Sequence, residues 1–161
     1  MPSRFVADSM VGRLAKWLRA FGFDVFYDPF LDDHGVVASA RERSAVVLTR
    51  DTRFPKPPDV GIVFVEDDHL DDQLRQLVGD GALHLAEARP MTRCTVCNQL
   101  LVPAGRGEVW DRVPPFIYLT NEHYAQCRDC GRVYWEGTHA LRIRRRLDDL
   151  LAFLETHRGQ A

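Results

Sequence analysis

Two C-x-x-C pairs, Cys94-Thr-Val-Cys97 and Cys127-Arg-Asp-Cys130, account for every cysteine in this 161-residue chain. Each pair places two thiols on one tight turn, so both pairs can reach a single tetrahedral ion, for which zinc is the expected metal. Asn98 and Gly131 follow the pairs, at the positions where such a turn needs residues that tolerate left-handed backbone. Four thiolates close the coordination shell and leave no place for a substrate, so the expected role is structural. A redox pair or free buried thiols are the alternatives, but a redox C-x-x-C normally comes singly beside a thioredoxin-like pattern, which is missing here. The 29 intervening residues (98–126) exceed the commonest spacings for such modules. A long hairpin that includes Val113-Pro-Pro-Phe-Ile-Tyr118 is expected to fill them.

Ahead of the cysteines the chain alternates between two periodicities. Arg4 to Ala7, Asp24 to Tyr27, Ala45 to Thr49 and Gly61 to Val65 read as short strands. Between and after them, Val11, Leu14, Ala15, Leu18 and Phe21 fall at helical spacing, with Ser9 as the expected N-cap and Gly22 at the stop. A second helix is expected from about Asp33, and Leu70, Leu74, Leu77 and Val78 mark a third. Alternation of this kind predicts an α/β fold with a parallel sheet and helices on its faces. Near Arg89-Pro90 the composition shifts to turn residues, prolines and aromatics, and from about Thr138 a last helix carries Ile143, Leu147, Leu150, Leu151 and Leu154 as its apolar stripe. The expected organisation is an α/β unit over 1–89, a zinc module over 90–137 and a closing helix over 138–161.

Aspartate stands at the end of strand after strand. Asp8 follows the first, Asp28 the second, Asp51 the third, and Glu66, Asp67 and Asp68 the fourth. Ligands of an open parallel sheet bind outside the carboxyl ends of its strands, so these acids are expected on one rim. Carboxylates crowded there repel unless cations lie between them, and hard oxygen donors suit Mg²⁺ or Mn²⁺. Ions so held can activate water for in-line displacement at a phosphodiester. Solvated loop acids are the alternative, since loops favour aspartate, and Asp32, Asp33, Asp67 and Asp68 are each suited to capping a helix. Asp8 and Asp51 are the strongest candidates because each closes an apolar strand. Other phosphate chemistries lack their signatures: there is no P-loop, no G-x-G-x-x-G, no D-x-D after the first strand and no G-x-S-x-G, so no nucleotide cofactor is expected.

A net charge of −2 does not mark a nucleic-acid binder, so the distribution of charge carries the argument. Lys16 and Lys56 are the only lysines, leaving 19 arginines, a bias that suits phosphate recognition and that a GC-rich genome also produces. Four thiolates and Zn²⁺ bring the second half of the chain close to neutral, so any RNA surface is expected to be a local patch. Arg13, Lys16 and Arg19 on the first helix and Arg50 beside Asp51 are candidates for holding phosphates, and an ordinary solvated helix face is the alternative. The Arg142, Arg144, Arg145, Arg146 run spreads around its helix, so only part of it faces one ligand. His139, Trp17, Trp110, Tyr134 and Trp135 read first as surface, capping or packing residues. The start of the chain lacks a secretory signal layout and no apolar run approaches a membrane span, which predicts a cytoplasmic protein.

Taken together, Asp8-Ser-Met-Val-Gly-Arg-Leu-Ala-Lys-Trp-Leu-Arg-Ala-Phe-Gly22, Leu48-Thr-Arg-Asp51, Arg93-Cys-Thr-Val-Cys-Asn98 and Cys127-Arg-Asp-Cys-Gly-Arg-Val-Tyr-Trp-Glu-Gly-Thr-His139 resemble, in order, the signatures of the Mut-seven C-terminal RNase domain family. The resemblance covers about Arg4 to Leu154. It implies a PIN-like nuclease domain with a zinc ribbon, acting on RNA through Asp8, Asp51, an acid at the start of the second helix (Asp33, or its neighbour Asp32) and a fourth at Asp67 or Asp68. Asp32-Asp-His-Gly-Val-Val37 departs from the acidic, leucine-rich pattern expected there. The expected function is therefore a metal-dependent ribonuclease with Asp8, Asp33, Asp51 and Asp68 as catalytic acids. A non-catalytic RNA- or ribosome-binding module and a protein-interaction adaptor are the rivals.

Overall fold

A computed structural model describes residues 3–158. β1 (Arg4–Ala7), β2 (Asp24–Tyr27), β3 (Val46–Thr49) and β4 (Ile62–Phe64) form one parallel sheet in the order β2-β1-β3-β4. α1 (Gly12–Ala20) joins β1 to β2, and α2 (Asp33–Arg43) joins β2 to β3 across β1. These two connections run in opposite directions along the sheet. Right-handed crossover therefore puts their helices on opposite faces.

The burial pattern agrees. Phe5, Ala7, Val25 and Leu48 pack with Leu14, Leu18 and Phe21 of α1 on one face, whereas Val6 and Val47 pack with Val36, Val37 and Ala40 of α2 on the other. Successive strand residues thus serve two separate cores, which is why these strands read as continuous apolar runs. α3 (Leu70–Gly79) and α6 (Thr138–Arg158) complete the α1 face through Leu74, Leu77, Ile143, Leu147 and Leu150. Leu151, expected in the buried stripe of α6, is instead 47% exposed.

Caps refine two helix boundaries. Asp8, rather than Ser9, caps the entry into α1, accepting the Met10 N–H at 2.6 Å as the chain makes one 3₁₀ turn. Asp32 caps α2 by accepting the Gly35 N–H at 2.8 Å. At the far end of α1, Gly22 has φ 96°, and any Cβ there would overlap the Arg89 carbonyl, so only glycine fits.

The segment between the cysteine pairs is not one long hairpin. β5 (Val102–Ala104) leads into two short helices, α4 (Arg106–Val109) and α5 (Pro115–Thr120), before β6 (Tyr124–Gln126) and β7 (Val133–Trp135). β5, β6 and β7 form a separate antiparallel sheet. Pro115 at the first position of α5 explains the miss: a proline pair read as a turn also starts a helix, where its missing N–H costs nothing.

Side-chain amides cover both open edges of the parallel sheet. On β2, the Asn98 Oδ1 accepts the Val25 N–H at 3.0 Å while Arg19 Nε donates to the Val25 carbonyl at 2.9 Å. On β4, Gln76 of α3 donates to the Phe64 carbonyl and accepts the Glu66 N–H, at 2.7 and 2.9 Å. Unpaired strand edges invite association with other chains, and here two backbone groups at each edge are satisfied internally. Among the described residues, no helix is long and apolar enough to cross a membrane.

Candidate functional site

In the strand order β2-β1-β3-β4 the chain turns one way after β1 and the other way after β2, so the switch point lies between β1 and β3. Open parallel sheets bind ligands at that crevice, beyond the carboxyl ends of the strands. Asp8 and Asp51 follow those two strand ends. Asp8 is 5% exposed, and its N–H continues the sheet by donating to the Leu48 carbonyl at 3.0 Å. Its Oδ1 accepts from Met10, and its Oδ2 accepts from the Thr49 hydroxyl. That hydroxyl in turn accepts the Asp51 N–H at 3.0 Å. Thr49, itself 1% exposed, thereby ties the two candidate acids to each other.

Thr49 was missed as a functional candidate by reading the chain alone. Its signal is a hydroxyl at the last position of an apolar strand, one residue before Arg50-Asp51. Asp51 is half-buried and accepts the Arg53 N–H at 2.9 Å, closing its own turn. Neither Asp8 nor Asp51 forms an ion pair with a cationic side chain among the described residues. Arg50 lies between them in sequence, and its Nε is buried without a hydrogen-bond partner.

The other predicted acids stand apart. Asp33 is exposed in the first turn of α2, and with Asp32 engaged as the cap its carboxylate is left uncommitted. Asp68 belongs to a different group: the ligand atoms of Asp67, Asp68 and His69 lie within 4.8 Å of one another beyond β4. His69 was not anticipated. Its Nδ1 is 3.3 Å from Asp67 and 2.8 Å from Asp68, and the hydrogen bond to Asp67 with the charge of both carboxylates raises its pKa. Among the described residues, no three of Asp8, Asp33, Asp51 and Asp68 bring carboxylate oxygens within that distance of each other. Phe30, also unremarked in the sequence, sits in the loop after β2 with 93% of its surface exposed, held by an Asp28 turn at 2.9 Å.

The candidate cations diverge as well. Arg13 and Lys16 are exposed on α1, but Arg19 is 6% exposed and turns inward. It donates to the Thr95 and Val96 carbonyls at 3.2 and 2.9 Å, binding the first cysteine turn to α1 instead of reaching for phosphate. Burial lowers its pKa, against the opposing influence of Cys94, Cys97 and Asp24. In the arginine run, Arg144 pairs with Glu136 at 2.7 Å, while Arg146 pairs with Asp71 at 3.1 Å and stacks on Trp17.

The cysteines converge. All four sulfurs lie within 4.8 Å of one another, close enough to hold a metal ion such as zinc. Cys94 Sγ and Cys130 Sγ are 3.7 Å apart. A tetrahedral site with Zn–S bonds of about 2.3 Å separates its sulfurs by about 3.8 Å, so the donor set fits that ion. The two turns repeat one design. Cys94 N–H donates to Gln99 and Asn98 N–H to Cys94, just as Cys127 N–H donates to Arg132 and Gly131 N–H to Cys127. Asn98 and Gly131 take φ of 67° and 76° in the left-handed region, as the motif requires.

Burial opposes ionisation of Cys94, yet the Tyr134 hydroxyl and the N–H groups of Cys97 and Val96 bring its pKa down to about 7. Tyr134, half-buried and bonded to that sulfur, is pushed up to about 12 by desolvation. A hydrogen bond with Cys130, burial and the neighbouring sulfurs push Cys97 up to about 12.

No curated protein and no solved structure matches the chain. The family model described as the Mut7-C RNAse domain matches residues 3–147, nearly the whole of it. On that match, the chain belongs to the Mut7-C RNAse domain family.

Proposed function

We propose that this protein is a divalent-metal-dependent ribonuclease of PIN-like type whose centre is the crevice between β1 and β3. Residues 3–89 would form its catalytic unit, 90–137 a zinc ribbon and 138–158 a closing helix, the expected bounds 1 and 161 lying outside the described residues. The observation that carries the reading is Asp8: a carboxylate 5% exposed, at the switch point of a parallel sheet, with two hydrogen bonds and no cationic side chain against it. Burying a charge without a counter-charge is costly, and a metal ion is the usual remedy. Two dipolar donors lessen that cost without cancelling the charge.

Asp8 and Asp51 would hold Mg²⁺ or Mn²⁺, with Asp33 at the start of α2 and Asp68 beyond β4 as the further acids of the centre. Bound there, such an ion supplies the positive charge that eases deprotonation of water and offsets charge building on a phosphodiester. Thr49 and the Met10 N–H each hold one oxygen of the Asp8 carboxylate, which fixes its orientation. Arg50, beside Asp51 and donating from Nη2 to the Glu66 carbonyl at 3.5 Å, would set positive charge near a bound phosphate, and Arg13 and Lys16 extend positive charge along α1. Phe30 offers an open ring on which a base can stack. The four thiolates would bind zinc as a closed, structural site, with Arg19 offsetting part of its negative charge.

The purified protein with Mn²⁺ is expected to cut a mixed panel of RNAs. Asp8→Asn with Asp51→Asn is expected to abolish cutting while leaving RNA binding intact. Cleavage persisting in that double variant refutes the assignment. A second reading, a non-catalytic RNA-binding module, is favoured by the dispersal of the four acids, no three of which cluster within 4.8 Å among the described residues. RNA binding with no cleavage by the parent protein is the outcome that selects it.

A further inference from the structure

We propose that the groove between α1, α5, β7 and the start of α6 is a binding track for single-stranded RNA. The identity of the polymer rests on the ribonuclease reading; the groove itself rests on separate observations. It encloses about 1020 Å³ and is lined by Lys16 of α1, Phe116 of α5, and Arg112, Arg132, Trp135 and Glu136 of the cysteine-bearing region.

Its charge is one-sided. Lys16 and Arg132 are exposed, and neither side chain forms an ion pair with a described residue. Arg112 is fixed by donating to the Gly131 carbonyl and to Gln126, which aims a third cation along the same wall. Glu136 is the one carboxylate among the lining residues, and it is already neutralised by Arg144 at 2.7 Å. What remains favours an anion.

Two aromatic faces select the kind of anion. Phe116 is 72% exposed, and Trp135 is held against Gly137, where a Cβ would meet the indole at 3.1 Å. The open ring of Phe116 and the half-buried ring of Trp135, interleaved with cations, suit a single strand, whose splayed bases can stack while its phosphates follow the positive charge. A duplex keeps its bases stacked on one another and cannot use the rings. An acidic peptide would satisfy the cations and leave the rings idle. The groove also connects to the candidate catalytic crevice along the chain, since Asp8 caps the 3₁₀ turn that leads into α1, and α1 carries Lys16 roughly 12 Å further along.

The test uses the full-length, zinc-loaded Asp8→Asn protein, so that bound RNA is not cut. Binding of a labelled single-stranded RNA of about twelve nucleotides is followed by fluorescence anisotropy. Lys16→Glu with Arg132→Glu is expected to weaken binding about ten-fold or more and to flatten the salt dependence by about 1.4 log units per log unit of salt. Phe116→Ala is expected to cost about five-fold or more, and Lys16→Arg with Arg132→Lys to retain binding.

An affinity unmoved by the charge reversal, or no affinity in the parent, overturns the groove. Equal binding of the duplex, or displacement of the RNA by a glutamate-rich peptide at comparable concentration, overturns the single-strand assignment. Wild-type cleavage is measured beside these. Cleavage with insensitive groove variants removes the groove alone, whereas groove-dependent binding without cleavage removes the nuclease reading alone.

Discussion

Replacing Asn98 with alanine removes one of the two side chains, Arg19 being the other, that join the first cysteine turn to the open edge of the parallel sheet. Asn98 Oδ1 accepts the Val25 N–H at 3.0 Å and Nδ2 donates to Asp24 at 2.7 Å. Each hydrogen bond contributes about 0.5–1.5 kcal/mol net, and a buried donor left without a partner costs about 1–3 kcal/mol. Alanine must also hold the left-handed φ of 67°, a cost of roughly 1 kcal/mol that asparagine largely escapes.

Because the Asp24 bond is partly solvated and water can replace it, Asn98→Ala is expected to destabilise by about 2–4 kcal/mol in all. Asn98→Gly relieves the backbone cost but leaves Val25 orphaned, so it should lose about 1 kcal/mol less. Urea unfolding of the zinc-saturated proteins measures both. Asn98→Ala within about 0.5 kcal/mol of the parent would refute the reasoning, because it would mean that the β2 edge does not depend on the Asn98 side chain. A loss shared equally by the glycine variant would refute only the backbone part.

Other consequences follow from the site. Thr49→Val leaves Asp8 with one donor and cuts its link to Asp51, so cleavage is expected to fall about 10–100-fold with Thr49→Ser largely preserving it; metal-dependent RNA cleavage measures both. Metal analysis is expected to return one zinc per chain, and Cys94→Ser to lose the metal and the cooperative unfolding of the cysteine-bearing region, as followed by circular dichroism with and without chelator. The pKa of His69 is expected above the ordinary value of about 6.5, so its contribution to stability is full below that value and is lost as pH rises through the raised one. NMR titration of the imidazole checks this, with Asp67→Asn and Asp68→Asn each moving the midpoint down and an unmoved midpoint refuting the pairing.

Much of the architecture was readable from local chemistry. The four strands, the three helices of the first ninety residues and the last helix all stand close to where apolar periodicity predicts them, because burial on one or two faces imposes a period that any window of sequence displays. Asn98 and Gly131 were legible for a similar reason: a C-x-x-C turn demands left-handed backbone at its exit wherever it occurs. The short helices α4 and α5 were not legible, since six residues or fewer carry too little periodicity, and the prolines at the start of α5 read as a turn. Leu151 was misjudged because helical spacing defines a stripe but not how wide a neighbour covers it.

In the site, the sequence alone determined which residues could bear the chemistry: four thiols on two turns, and acids at the carboxyl ends of strands. Only the tertiary structure decided which of them meet. It brings the sulfurs of Cys94 and Cys130 to 3.7 Å, bridges Asp8 to Asp51 through Thr49, gathers Asp67 and Asp68 around His69, and turns Arg19 inward to the cysteine turn. The physical reason is range. Caps, turns and periodicity are set by residues a few positions apart, whereas the partner of a buried charge is set by strand order and helix packing, which depend on contacts between distant parts of the chain.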